Sequence, residues 1–142
     1  MLPARNVFVT NSLLNDVTRV GTAAKAQAQL GRPDLYGKTG TTNDAVDAWF
    51  AGFQPSLAAV VWMGYDEPRS LGVGESGGGL ALPIWINYMR QALAGVAVQP
   101  PGDPPPGVVS VGGDWTYSEW VDGGHVQRIG FDDAALPSTS SK

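Results

Sequence analysis

Apolar positions first recur at helical spacing. Val7, Thr10, Leu14 and Val17 stand at i, i+3, i+7 and i+10, and Leu13 widens the stripe, so residues 6–20 are predicted to form a helix. Gly21 is its stop, with Arg19 in the last turn. A polar connection runs from there through Gly31-Arg32-Pro33-Asp34. The pattern then shortens. Leu35–Thr41 reads as a strand weakened by two glycines, and 47–53 and 57–64 read as stronger ones joined by the hairpin turn Gln54-Pro55-Ser56. The latter two are apolar almost throughout, which predicts strands covered on both faces. Three strands on short connections imply an antiparallel meander.

Residues 66–79 form a polar, glycine-rich stretch and are expected to be a loop. A second helix is predicted over 81–94. Pro83 sits in its first turn, Trp85, Tyr88/Met89 and Ala92/Leu93 form its stripe, and Gly95 ends it. Residues 96–107, with Gln99-Pro-Pro-Gly-Asp-Pro-Pro-Pro-Gly107, read as a stiff linker. Beyond it, 108–111, 115–121 and 126–131 are short strand-like runs, taken together as a small β-like appendage over 108–131. Residues 132–142 read as a disordered tail. The fold class expected is α+β, with the meander packed by the two helices.

Composition narrows the chemistry. The 142 residues suit one domain, and 9 Lys+Arg against 13 Asp+Glu leave a net charge of −4 without a basic stripe, which argues against nucleic acid. With no cysteine there is no disulfide, thiolate metal site or thiol nucleophile. Met1–Asn6 does not begin a signal peptide, and no apolar run nears the ~20 residues that span a bilayer.

Two phosphate-loop look-alikes fail on context. Gly31 to Gly37-Lys38-Thr39 has five residues between its glycines where the motif needs four, and its lysine enters an extended segment. Gly72-Val-Gly74-Glu-Ser-Gly77 matches a dinucleotide fingerprint literally, but no βαβ unit surrounds it. His125 stands alone and reads as a turn residue. Asp44, Asp47, Asp66, Glu67 and Glu75 lie beside turns, where aspartate often bonds its own backbone. Trp49, Trp62 and Trp85 are expected to pack together as core.

Lys38-Thr39-Gly40-Thr41 differs from these. On a strand, Lys38 and Gly40 point to one face and Thr39 and Thr41 to the other, yet around a twisted edge all four can border one cleft. The ammonium would offer charge to a carboxylate and the hydroxyls would orient it. The free strand edge could also take up a peptide by β-augmentation. The competing reading is an inert edge strand whose lysine guards against aggregation.

The run Gly37-Lys-Thr-Gly-Thr-Thr-Asn-Asp44, then Asp47-Ala-Trp-Phe-Ala-Gly-Phe53, Val61-Trp-Met-Gly-Tyr-Asp66, Gly77-Gly78 and Ala81-Leu-Pro-Ile-Trp85, resembles the end of the transpeptidase domain of class A penicillin-binding proteins of the 1A type, over about residues 5–95. The resemblance implies an acyl-transfer site for peptidoglycan stem peptides ending in D-Ala-D-Ala, or for β-lactams. It implies no cofactor and no metal, and a location on the periplasmic side of the inner membrane. Lys38 would place charge near a serine, Thr39 and Thr41 would bind the substrate carboxylate with Gly40 between them, and the Thr41 N–H would be an oxyanion donor. No serine here is followed three residues later by lysine, and none begins Ser-x-Asn. The expectation is therefore a fragment, with residues 1–95 as part of the transpeptidase domain, unable to acylate by itself. The alternative is a non-catalytic peptide-binding module using the 35–41 strand. A β-lactamase-like hydrolase fragment is a weaker third, since the Trp-Phe-Ala-Gly and Leu-Pro-Ile-Trp runs favour the synthases.

Overall fold

The computed structural model describes residues 2–121; the 126–131 strand, His125 and the 132–142 tail lie outside them. In chain order the elements are α1 (Ala4–Arg19), α2 (Lys25–Leu30), β1 (Tyr36–Thr41), β2 (Ala48–Gln54), β3 (Leu57–Met63), α3 (Ala81–Ala92), β4 (Val108–Val111) and β5 (Asp114–Tyr117), with single 3₁₀ turns at Asn43–Ala45 and Ser118–Trp120. The fold is α+β: an antiparallel sheet in the order β1-β2-β3, packed by α1 and α3. Helix α2 was not foreseen. Its six residues, Lys-Ala-Gln-Ala-Gln-Leu, are too short to show a period, and only Ala26 among them is buried.

One face of the sheet carries Ala48 and Phe50 on β2 with Ala59 and Val61 on β3, and α3 lies across it. Trp85 is fully buried there, its ring edge-on to Phe50 with centroids 4.9 Å apart, and its indole N–H donates to the Ala59 carbonyl at 3.1 Å. Ala81, Leu82, Trp85, Ile86, Met89 and Leu93 form the buried stripe of α3. Tyr88 and Ala92, expected in that stripe, are exposed. Burying Phe50, Leu82, Ile86 and Met89 contributes roughly 1.5–3 kcal/mol each.

The opposite face corrects two expectations. Strands β2 and β3 are not covered on both sides, because the three helices leave Trp49, Ala51, Ala58, Val60 and Trp62 open to solvent. Nor do the three tryptophans pack as one core. Trp49 and Trp62 stay 42% and 45% exposed, with centroids 6.2 Å apart, while Trp85 lies beneath the sheet. The period-2 alternation decides this, since Trp49 and Trp62 are opposite partners and both point away from Phe50.

Helix α1 also turns differently from its predicted stripe. Val7 and Leu13 are exposed, whereas Thr18 is fully buried. Its contact with the segment that leads into β1 is polar: Asn15 donates to the carbonyls of Pro33 (2.7 Å) and Leu35 (2.9 Å), and the Thr18 hydroxyl donates to Leu35 (2.7 Å). These bonds satisfy carbonyls that β2 cannot reach, and they fix the entry of β1. The β4–β5 hairpin packs on the first turns of α1 through Phe8 and Trp115 (centroids 5.1 Å), the Arg5–Glu119 ion pair (2.6 Å) and Tyr117 Oη donating to Asn6 (2.9 Å). The strand predicted over 115–121 stops at Tyr117 and turns into the 3₁₀ segment.

Candidate functional site

The chain enters β1 through a buried clasp. Arg32 donates through Nε and Nη2 to the two Asp34 oxygens, both at 2.8 Å, and reaches the carbonyls of Val96 (3.0 Å) and Ala97 (3.2 Å). Asp34 has no exposed surface and also accepts from Gln54 Nε2 (3.1 Å) and the Gln99 N–H (2.9 Å). Burial pushes its carboxyl pKa up. The Arg32 bonds, the Gln99 N–H, the Gln54 amide and the Arg32 charge outweigh that, and the net pKa falls well below the usual carboxylate range. Arg32 is in turn raised, chiefly by its bond to Asp34. The end of α3, the start of β1 and the end of β2 are tied at one point.

From that anchor β1 runs along β2 with Lys38 opposite Ala51, Thr39 opposite Phe50, Gly40 opposite Trp49 and Thr41 opposite Ala48. Just beyond, the Thr42 N–H donates to the Asp47 carbonyl at 3.1 Å. In an antiparallel ladder the bonded pairs alternate, so the N–H groups of Thr41 and Thr39 turn away from β2 towards the outer edge of β1. The sheet leaves them free as donors.

Thr39 and Thr41 point to the α3 face and line a cleft of about 520 Å³ with Thr22, Lys25, Ser76 and the backbone of Gly78 and Gly79. The Thr22 and Thr39 hydroxyls are 3.0 Å apart, and the Gly77 N–H donates to the Thr41 hydroxyl at 3.1 Å. Gly77 lies flat on the β1–β2 ladder. A Cβ there would run into the Trp49 carbonyl and meet the Gly40 carbonyl at 2.6 Å, so only glycine fits.

Lys38 is not in this cleft. Its parity puts it on the Trp49 face, where it lines a shallow apolar hollow with Leu14, Ala51, Phe53, Ala58 and Val60. Its Nζ donates to the Thr39 carbonyl at 2.9 Å, at the strand edge. Of the four residues singled out in the sequence, the structure gathers Thr39 and Thr41, puts Gly40 beneath Gly77 and sends Lys38 to the opposite side. Thr22, Lys25 and Ser76 escaped the sequence reading. Thr22 and Lys25 belong to no motif, Ser76 lies inside the glycine run set aside as a look-alike, and the one compositional signal is that Lys25 is one of three lysines in the chain. Asp44 and Asp47 serve the β1–β2 turn instead: the Asp44 carbonyl accepts from Ser70 (2.8 Å) and the Asp47 carboxylate from the Trp62 indole (2.9 Å).

No family model matches the chain. Curated relatives do. Penicillin-binding protein 1A of Neisseria flavescens is 49% identical over 110 residues, covering 78% of this chain and 14% of its own length. That of Pseudomonas aeruginosa is 46% identical over 111 residues, covering 78% of this chain and 13% of its own length. Among solved structures, penicillin-binding protein 1A from Haemophilus influenzae superposes with a TM-score of 0.64 at 36% identity, over 70% of this chain and 16% of that one. Among the described residues no helix is long and apolar enough to cross a membrane.

Proposed function

Because the chain belongs to the penicillin-binding protein 1A family, we propose that it carries the Lys-Thr-Gly wall of a peptidoglycan D,D-transpeptidase site. In this reading Thr39 and Thr41 bind the carboxylate of a stem peptide ending in D-Ala-D-Ala, or of a β-lactam in its place. Lys38, at the strand edge, puts positive charge beside a serine nucleophile that other residues of such an enzyme supply. The Thr41 N–H is one of two oxyanion donors, a role worth about 2.7–4 kcal/mol of transition-state stabilisation. Residues 1–95 are the transpeptidase portion, 96–107 a linker and 108–131 an appendage, and the cross-linking takes place on the periplasmic side of the inner membrane.

The observation that supports this best is the free outer edge of β1, where the Thr41 N–H and the Thr39 hydroxyl both border an open polar cleft. A graft tests it. Residues 5–95, placed in the matching segment of the Pseudomonas aeruginosa protein, should sustain acylation by a fluorescent penicillin. Thr39→Val within the graft should slow that acylation about tenfold, the worth of one hydrogen bond to a charged group. The chain by itself should form no adduct. A folded graft that is inert, or an adduct on the chain alone, overturns the reading.

A further inference from the structure

Among the described residues Lys25 is the one cationic side chain on the wall of the Thr39/Thr41 cleft, and no sequence motif points to it. It stands at the start of α2, exposed, and among the described residues it makes no ion pair or hydrogen bond. Its three donors are therefore uncommitted. The hydroxyls around it are partly arranged already. Thr41 accepts from Gly77 and so has its proton to give outward, and Thr22 and Thr39 share one proton between them, leaving the other to give. Lys38 cannot complete this set from its own position, because its Nζ is held by the Thr39 carbonyl and its stem lies on the opposite face. Glu75 sits on the neighbouring loop, on the Gly79 side, and is not part of the cleft wall.

We infer that Lys25 is the specificity-determining cation of this cleft, holding the ligand's C-terminal carboxylate against the Thr22, Thr39 and Thr41 hydroxyls. Lys38 is left to act from the other side of the strand. The inference rests on the carboxylate-binding reading of β1 and adds to it a residue of the element that precedes β1 in the chain. An ammonium opposite a carboxylate at an exposed site contributes modestly. What it adds is discrimination: a carboxylate is favoured over its neutral amide.

The test is an NMR titration of the 142-residue chain with acetyl-D-Ala-D-Ala and with the same dipeptide as its C-terminal amide. The wild-type chain should prefer the carboxylate by about three- to tenfold. Lys25→Met should erase that preference by weakening the carboxylate alone, and Lys25→Arg should restore most of it. Arg90→Gln, which removes one positive charge from the exposed flank of α3, should leave the preference intact. Because Lys25 is exposed, the amide spectrum of each variant should match the wild type and so report that the fold is kept. If Lys25→Met binds the carboxylate as tightly as the wild type, the inference falls while the reading of β1 stands. If the wild type shows no preference for the carboxylate, both fall.

Discussion

The Gly77 N–H donates to the Thr41 hydroxyl at 3.1 Å, which pins a glycine-rich loop to the last residue of β1 across thirty-six positions of sequence. Loop and strand share the ladder surface so closely that they must move together. Gly77→Ala would push a methyl group against two backbone carbonyls that cannot yield. The expected result is a displaced loop, a stability loss of about 1–3 kcal/mol from overpacking and weaker binding in the cleft. Gly79→Ala is the control, since its Cβ would find ordinary contacts no closer than 3.6 Å. Urea unfolding of both variants decides it, and equal midpoints would refute the close packing.

The two faces of the sheet differ in what they contribute. Trp85→Ala empties the space beneath Phe50 and should cost about 3–5 kcal/mol. Trp62→Ala removes a ring that is 45% exposed and should cost under about 1 kcal/mol. Denaturant midpoints at constant m-value are the measurement. Similar losses would mean that the Trp62 face is covered in solution.

The clasp at the foot of β1 predicts an acid limb. Asp34 has a lowered pKa in the folded chain, so its contribution is fully present above the unfolded value near 3.9 and is lost as pH falls below it. Stability should hold between about pH 7 and 5 and decline through pH 4 and below. Asp34→Asn leaves the Arg32 guanidinium buried without its partner, a loss of about 3–5 kcal/mol at neutral pH, and should flatten that limb. An unchanged pH profile in the variant would show that other carboxylates carry the acid sensitivity.

Among the described residues strand β3 ends the sheet, with a run, Leu-Ala-Ala-Val-Val-Trp-Met, that has no charge to guard its edge. Val60 is 63% exposed on the open face. The wild-type chain is expected to self-associate, and Val60→Lys should shift it towards monomer in sedimentation velocity. A clean wild-type monomer with a sharp cooperative melt would contradict this.

Elements whose periodicity is long or whose punctuation is strong are legible in the amino-acid sequence. The β2–β3 hairpin at Pro55-Ser56, the α3 stripe around Trp85 and the Gly37–Asp44 run could all be read before any coordinates, because each depends on neighbours a few residues apart. Fold class and family membership followed from the same local signals. The assignment of faces comes from packing between elements far apart in the chain. Alternation sets Trp49 and Trp62 on the face opposite Phe50, but which of the two faces α3 and Trp85 cover depends on where the helices lie across the sheet. The anchoring of β1 was likewise invisible, since Asn15, Thr18 and Asp34 act through carbonyls and amides far away in the chain. The cleft itself arises from three segments, at 22–25, 39–41 and 76–79, and its makeup is set by strand parity. That parity sends Thr39 and Thr41 one way and Lys38 the other, and the packing of α2 then brings Lys25 to the side Lys38 leaves.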